Sequence, residues 1–350
     1  MVRTNNIYTN LRHYFVVAEI PFEIKIGLEL HVKVDSKYKL FSGYTDDVSV
    51  IDEGLPGSLP IPNIENLHML TTLANMFKTG LNPWLAFTRK SYFYVDLPLG
   101  YQITQRFHPI INTTNIPMIS LKVNKTCNLG VALIRDICLE HDSGNIIGNK
   151  NHVGFCRSGR SLIELTTYPC FDRISDIKLF ILKLRFVLIH VGISVCDMSD
   201  SGLRFDINIS SMVPFIIPST KTEYKNISGL TTLNKVLSYE IIILSLERKL
   251  YSETKFWNKD GITFSRIKEW DHGYKHFLDP DLTSMRLWSS NINTTLLYNG
   301  MSQGLILLGL RSSVSRDVLK SDLILTKIGL ILLSTMVKSI YFHHMLSLKC

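Results

Sequence analysis

The sequence predicts an α+β fold, a mixed and largely antiparallel sheet domain followed by a short helical region, and three observations predict it. Several short runs alternate apolar and polar residues with period two, the mark of strands buried on one face only. Stretches of helical period interrupt these runs irregularly, whereas a doubly wound parallel sheet would alternate regularly and carry wholly apolar strands. After Asp281 the strand signals fade into a hydrophobic stretch of helical character with scattered basic residues.

The first strand is expected from Phe22 to Val34. Phe22, Ile24, Ile26, Leu28, Leu30, Val32 and Val34 fall on one side, and Glu23, Lys25, Gly27, Glu29, His31 and Lys33 on the other. Side chains two apart on a strand share a face, so Glu29 and His31 project together, roughly 7 Å apart along it. A carboxylate beside an imidazole can hold a metal or move a proton, and a solvated strand face gives the same pattern. The run G-L-P-G-S-L-P-I-P from Gly54 to Pro62 ends this β region. Asn63 is then expected to cap a helix to about Thr79, with Ile64, Leu67, Leu70, Leu73 and Phe77 inward and Gly80 as its stop.

A strand followed by a Pro/Gly loop is expected over Tyr92 to Gln102. Leu162 to Thr166 sets Glu164 inside an apolar strand, where a carboxylate is costly if buried and unpaired. Asp176 to His190 reads as a second helix, capped by Ser175 and closed by Gly192. In Leu203 to Ser210 the residues Leu203, Phe205, Ile207 and Ile209 oppose Arg204, Asp206, Asn208 and Ser210. A third helix is expected from about Thr232 to Arg248, with Leu233, Leu237, Ile241 and Leu244 as its core stripe. Three strands presenting acids to one sheet face would form a surface for Mg²⁺, which prefers carboxylate oxygens. Three unrelated exposed faces are the alternative.

The 350 residues suffice for two domains, and 45% hydrophobic against 19% charged residues is a globular balance. The net charge of +8 is diffuse and only modestly favours a polyanionic partner. Six cysteines without a C-x-x-C pair signal neither a zinc site nor a disulfide framework. Met1 to Ile20 lacks the apolar core of a secretory signal, and the apolar run Ile328 to Val337 is far short of the roughly 20 residues of a membrane span. The chain is therefore expected to be soluble and intracellular. No Walker A motif, G-x-S-x-G elbow or Rossmann fingerprint occurs, so any ATP must be handled by a carboxylate and Mg²⁺ sheet surface.

Eight segments follow one another in a recognisable order: I-G-L-E-L-H-V (Ile26 to Val32), G-L-P-G-S-L-P (Gly54 to Pro60), R-K-S-Y-F-Y-V-D-L-P-L-G-Y-Q-I-T-Q (Arg89 to Gln105), L-E-H-D-S-G-N (Leu139 to Asn145), L-I-E (Leu162 to Glu164), G-L-R-F-D-I-N-I-S (Gly202 to Ser210), T-E-Y-K-N-I (Thr222 to Ile227) and Y-K-H-F-L-D-P-D-L (Tyr274 to Leu282). Together they resemble the GatB family, the B subunits of aspartyl/glutamyl-tRNA amidotransferase, over about residues 22 to 282. The resemblance implies an N-terminal extension over 1–21 and a glutamine synthetase-like cradle domain over 22–282. It also implies part of a helical domain over 283–350, without the family's tRNA-gripping tail.

The implied reaction is that of an ATP-dependent carbon–nitrogen ligase with glutamine as amido donor. The side-chain carboxylate of Glu-tRNA(Gln) or Asp-tRNA(Asn) is phosphorylated with ATP and Mg²⁺, then amidated with ammonia. The implied partners are the glutaminase A subunit, the C subunit and misacylated tRNA, with no membrane, in the cytoplasm of a bacterium of reduced genome or in an organelle. A decayed subunit kept as an assembly scaffold is the alternative.

Carried over by position, Glu29 and His31 match the family's metal-binding G-L-E-x-H strand, Glu140 and Asp142 its E-E-D-x-G run, and Glu164 its L-I-E carboxylate. Arg204, Asp206 and Asn208 match L-R-x-D-x-N, Lys225 and Asn226 the K-N pair, and Tyr94 and Gln102 the pocket loop. The resemblance thus assigns catalysis to Glu29, His31, Glu140, Glu164, Arg204 and Asp206, with Mg²⁺ held by Glu29, His31, Glu140 and Glu164. ATP or substrate falls to Tyr94, Gln102, Asn208, Lys225 and Asn226, with Tyr94 and Gln102 equally readable as packing or turn residues. Two departures favour the scaffold: His141 stands where the family has an acid, and Leu99 where it has a lysine. Ser42, Tyr44, Ser49 and Asp52 occupy the positions of a four-cysteine zinc knuckle found in some members, so no zinc is expected.

Overall fold

The computed structural model describes residues 23–286 apart from 78, 120–128, 148–151, 199–201, 213–220, 247–250, 259–260 and 269–274. The extension expected over 1–21 and nearly all of the helical region expected over 283–350 lie outside the described residues. The chain splits into two compact units, 1–118 with 130–288 and 119–129 with 289–350. The first carries the whole of the site described below.

In chain order the elements are β1 (Glu23–Lys33), α1 (Ile64–Met76), β2 (Trp84–Leu85), β3 (Thr88–Ser91), β4 (Tyr101–Thr104), β5 (Ile111–Ile119), β6 (Leu129–His141), β7 (Asn145–Ile147), β8 (His152–Gly154), β9 (Ser161–Thr167), α2 (Ile174–His190), β10 (Leu203–Met212), β11 (Thr222–Ile227), α3 (Leu230–Leu246), β12 (Ser252–Asn258), β13 (Gly261–Lys268), β14 (Lys275–Leu278) and β15 (Met285–Arg286). Eight strands form one sheet in the order β13-β12-β11-β10-β1-β9-β6-β5, and smaller sheets are β14-β3-β4, β15-β2 and β7-β8. The fold is α+β with a mixed, mainly antiparallel sheet.

The pairings of β1 with β9 and β10, of β6 with β9, of β10 with β11 and of β12 with β13 are antiparallel, while β11 and β12 run parallel. A parallel pair needs a crossover, and α3 supplies it between these two strands. On β1 the apolar set Ile24, Ile26, Leu28, Leu30 and Val32 is at most 2% exposed. Each such side chain contributes about 1.5–3 kcal/mol on burial. They join one core with Ile163 and Leu165 of β9, Phe205 and Ile207 of β10, Ile177, Phe180 and Ile181 of α2, and Leu233, Val236 and Leu237 of α3. The alternation that builds this core leaves the polar side chains of the same strands together on the opposite face.

Local details differ from expectation for identifiable reasons. Asn63 precedes α1 as its N-cap but makes no side-chain cap bond; its Nδ2 donates instead to the carbonyls of Lys39 and Ser42 at 2.6 and 2.7 Å. Ile64, expected inward, is 69% exposed, while Leu70 and Leu73 are buried. α1 ends at Met76, short of Thr79. α2 begins at Ile174 with Arg173 at the N-cap, so Ser175 sits within the first turn; Gly192 beyond its end takes a φ of +74°, as a helix stop does. α3 starts two residues before Thr232, and its expected stripe is buried. The strand expected at Tyr92 lies earlier, as β3, and Tyr92 to Gly100 is loop. Met285–Arg286 is a strand paired with β2, which carries sheet structure past Leu282.

Candidate functional site

β1 brings its polar residues into register with both neighbours. Glu29 stands opposite Asp206 of β10 and Thr166 of β9, and His31 opposite Arg204 and Glu164. Residues directly opposite share a sheet face, so one patch forms. On β6, Cys138 pairs with Glu164 and Glu140 with Leu162, which adds Glu140 diagonally. The ligand atoms available on Glu29, His31 and Glu164 all lie within 4.8 Å of one another. His31 Nε2 is 3.7 Å from Glu29 Oε1 and 3.9 Å from Glu140 Oε1. Three of the four residues expected around a cation thus converge, and the fourth, Glu140, lies beside His31.

The surroundings push Glu164 and Glu29 in opposite directions. Burial, then the Glu140 and Glu29 carboxylates, push the Glu164 carboxyl well above the usual range. Burial pushes Glu29 upward as well, but the positive charges of His31, Lys225 and Lys90 outweigh it and hold Glu29 below its ordinary value. A crowded acid that holds its proton more tightly than usual is the group at which a divalent cation would compete with a proton. The donor set of carboxylate oxygens and one imidazole fits such a cation. Cys138 is no competitor for it, because burial pushes its thiol well up and keeps it protonated.

Further along β10 the register with β11 shifts between Phe205 and Ile207, where Lys225 and Asn226 of β11 stand against the single Asp206, a bulge on β11. Lys225 of β11 places Nζ 3.6 Å from Asp206 Oδ2 and 3.9 Å from Glu223 Oε1. Asn208 stands two residues on, and its buried Oδ1 accepts no hydrogen bond within the described residues. Asn226 follows Lys225 on β11, and its side chain lies outside the described residues. Arg204 donates from Nη2 to Asp142 Oδ1 at 3.3 Å, while its Nε is buried without an acceptor among the described residues.

The small sheet contributes the rim. Gln102 on β4 is 7% exposed and engaged at both ends, accepting from Tyr92 Oη at 2.9 Å and donating to the His141 carbonyl at 3.1 Å. It braces the loop against β6 instead of offering its amide to a ligand, which favours the packing reading of this residue. Tyr94 stands 60% exposed near the tip of the Tyr92–Gly100 loop, its ring 5.4 Å from that of Tyr92.

His141 and Leu99, the two departures that favoured a scaffold, line one cavity of about 10 Å³ with Phe41, Ile51 and Ile103. His141 is 3% exposed, and its Nδ1 accepts the Ile103 N–H at 2.7 Å. It neighbours Glu140 on β6 and therefore faces the other way. The loss of an acid there does not deplete the carboxylate cluster. At the zinc-knuckle positions, Asp52 accepts from Lys39 Nζ at 2.8 Å, Ser42 Oγ at 2.9 Å, and Ser49 N and Oγ at 2.9 and 3.0 Å.

Three charged neighbours of the site escaped the sequence reading. Glu223 was legible, since it alternates with Lys225 on one strand. Lys90 arrives from β3, and its charge acts on both Glu29 and Glu164. Arg157 arrives from the turn before β9, 3.6 Å from Asp142 Oδ2. No periodicity marks either of these two.

Comparison with known proteins bears on this geometry. Residues 24–293 match a family model described as the GatB/GatE catalytic domain. Several proteins named as B subunits of aspartyl/glutamyl-tRNA(Asn/Gln) amidotransferase are similar: that of Novosphingobium aromaticivorans is 32% identical over 284 residues, covering 76% of this chain and 57% of that protein. Those of Rickettsia typhi and Rickettsia conorii are 32% and 33% identical, each covering 78% of this chain and 59% of the relative. The chain thus spans 57–59% of the length of these relatives.

Proposed function

The chain belongs to the family of GatB/GatE catalytic domains, and we propose that it is the ATP-using subunit of a tRNA-dependent amidotransferase. Its substrate is the side-chain carboxylate of Glu-tRNA(Gln), Asp-tRNA(Asn) or both. The observation that carries this reading is the convergence of Glu29, His31 and Glu164 within 4.8 Å, with Glu140 beside His31.

A free carboxylate is a poor electrophile toward ammonia, so the reaction proceeds in two displacements. A substrate carboxylate oxygen attacks the γ-phosphorus of ATP, forming an acyl phosphate as the bond to ADP breaks. Ammonia then attacks the acyl carbon, phosphate leaves with the bonding pair, and the added nitrogen loses a proton. Glu29, His31, Glu140 and Glu164 would hold Mg²⁺, which when bound neutralises charge on the transferring phosphate. Arg204 suits phosphate oxygens through its unmatched Nε–H. The buried Oδ1 of Asn208, without a donor among the described residues, can accept an N–H of ammonia, and Asp206, on the same face, can take the proton released.

Ammonia comes in this reading from a glutaminase A subunit, with a C subunit completing a cytoplasmic complex. No helix among the described residues is long and apolar enough to cross a membrane. The decisive experiment reconstitutes the chain with A and C subunits and follows ATP- and glutamine-dependent conversion of misacylated tRNA, beside a Glu164→Gln variant. Conversion that Glu164→Gln abolishes is the expected result. An assembled complex that converts nothing would reduce the chain to a scaffold.

A further inference from the structure

Backbone hydrogen bonds already tie the turn Phe155 to Arg160 to the end of β6. Asp142 N donates to the Arg160 carbonyl at 2.8 Å, and Gly159 N to the Asp142 carbonyl at 2.9 Å. Within the turn, Ser158 N and Arg160 N close onto Phe155 and Arg157 carbonyls at 3.0 and 3.1 Å. The Arg157 side chain is therefore not needed to form the turn. It reaches out instead, with Nε donating to the Ser143 carbonyl at 3.0 Å and Nη2 to Ser143 Oγ at 3.2 Å and to the Gly144 carbonyl.

Nε of Arg157 also lies 3.6 Å from Asp142 Oδ2, while the other oxygen of the same carboxylate accepts from Arg204. Asp142 is 5% exposed, so one buried carboxylate is set between two guanidinium groups. Two cations on one anion leave a positive excess at the edge of an acid-rich patch. Arg204 is fixed through Nη2, and its buried Nε–H has no acceptor among the described residues. A buried donor left without a partner is costly, and an incoming anionic oxygen would satisfy it.

We propose that Arg157 is a positioning residue that acts through Asp142 to aim Arg204 at an ATP phosphate oxygen. This rests on the ATP-dependent reading above. Ser143 joins the same relay to the Tyr92–Gly100 loop, since its Oγ lies 3.3 Å from Asp96 Oδ2 and Gly144 N donates to the Asp96 carbonyl at 2.7 Å. Arg157 thereby holds the β6 end between the loop on one side and Arg204 on the other.

The test uses the full chain assembled with its A and C subunits, in wild-type, Arg157→Ala, Arg157→Lys, Arg204→Ala and doubly substituted Arg157→Ala/Arg204→Ala forms. Binding of a non-hydrolysable ATP analogue with Mg²⁺ is measured by calorimetry, and kcat and KM for ATP in tRNA-dependent turnover are measured alongside. Loss of Arg157 is expected to lower kcat about 10- to 100-fold, the range typical of residues that orient a ligand-contacting group. Because the residues act as a unit, the double variant should be no worse than Arg204→Ala alone. Arg157→Lys should recover part of the loss, since an ammonium reaches the Ser143 carbonyl but cannot fork to the carboxylate.

Multiplying losses in the double variant, or unchanged binding and turnover in an assembled Arg157→Ala complex, would overturn the inference and leave the functional reading standing. A wild-type complex that neither binds the analogue nor turns over ATP would overturn both.

Discussion

Glu164 and Glu140 stand diagonally across β9 and β6 on one face of the sheet, and each lies beside His31 of β1. Burial and the neighbouring acids hold the Glu164 carboxyl well above its ordinary value of 4.5. A cation entering the cluster competes with the proton that Glu164 holds more tightly than usual, so affinity for Mg²⁺ should rise with pH. Calorimetric titration in buffers of different ionisation enthalpy should show proton release on binding. Release of none, with affinity flat from pH 6 to 8, would contradict this competition.

The same pair sets a stability cost on the metal-free protein. A carboxyl whose folded pKa is raised has its stabilising share complete below the ordinary value of 4.5 and loses it as pH rises through the folded value. Glu164→Gln keeps a neutral hydrogen-bonding group and removes that titration. It should stabilise the metal-free chain at neutral pH by about 0.5–2 kcal/mol while abolishing activity. Denaturant unfolding without Mg²⁺ reads the first effect, and equal midpoints at pH 8 would rule it out.

His141 gives a pH dependence of the opposite sense. Burial lowers its pKa from 6.5 to about 4 despite the nearby Asp52 charge. The unfolded chain takes up a proton below 6.5 that the folded one refuses until about 4, so stability is lost as pH falls through this window. The full effect is about 3 kcal/mol. Unfolding midpoints of wild type should fall between pH 7 and 4.5, and a His141→Gln variant, whose amide oxygen can still accept the Ile103 N–H, should lose much of that slope.

Much of this was legible in sequence where period two dictated it. The β1 and β10 faces, the isolated Glu164 and the α3 stripe all followed from alternation or helical spacing. What alternation cannot state is register, and register is what brings Glu140 to His31 and sets a bulge of β11, Lys225 and Asn226, against Asp206. Side chains that reach the site from elsewhere, Lys90 from the small sheet and Arg157 from a turn, carry no periodic signal at all. Cap residues misled because tertiary contacts claimed them: the Asn63 amide serves the Lys39 and Ser42 carbonyls instead of α1. His141 and Leu99 read separately as two losses, whereas the structure makes them neighbours lining one small cavity beside Asp52.

Lys39 and Asp52 form a buried pair at 2.8 Å, with side chains 0% and 2% exposed. Removing one partner strands the other charge away from water. Asp52→Asn should cost about 3–5 kcal/mol. The double change Lys39→Met with Asp52→Asn should cost clearly less than the sum of the single changes, because it strands neither charge. Additive losses in that cycle would show the two residues to be energetically independent.

Lys90 projects a positive charge from β3 onto Glu29 and Glu164 alike, and in the absence of a cation it is part of what offsets their crowding. A lysine in that position competes with a divalent cation for the same carboxylates, yet it also attracts the phosphates of a nucleotide. Lys90→Met should therefore separate two affinities that ordinarily move together. Mg²⁺ alone should bind about two- to tenfold more tightly, a range that allows for solvent screening of a half-buried group, while the Mg²⁺–ATP analogue should bind more weakly. Calorimetry with each ligand on the assembled complex decides it. If both affinities fell together, Lys90 would be acting on the shape of the site through β3, and its charge on the two acids would be incidental.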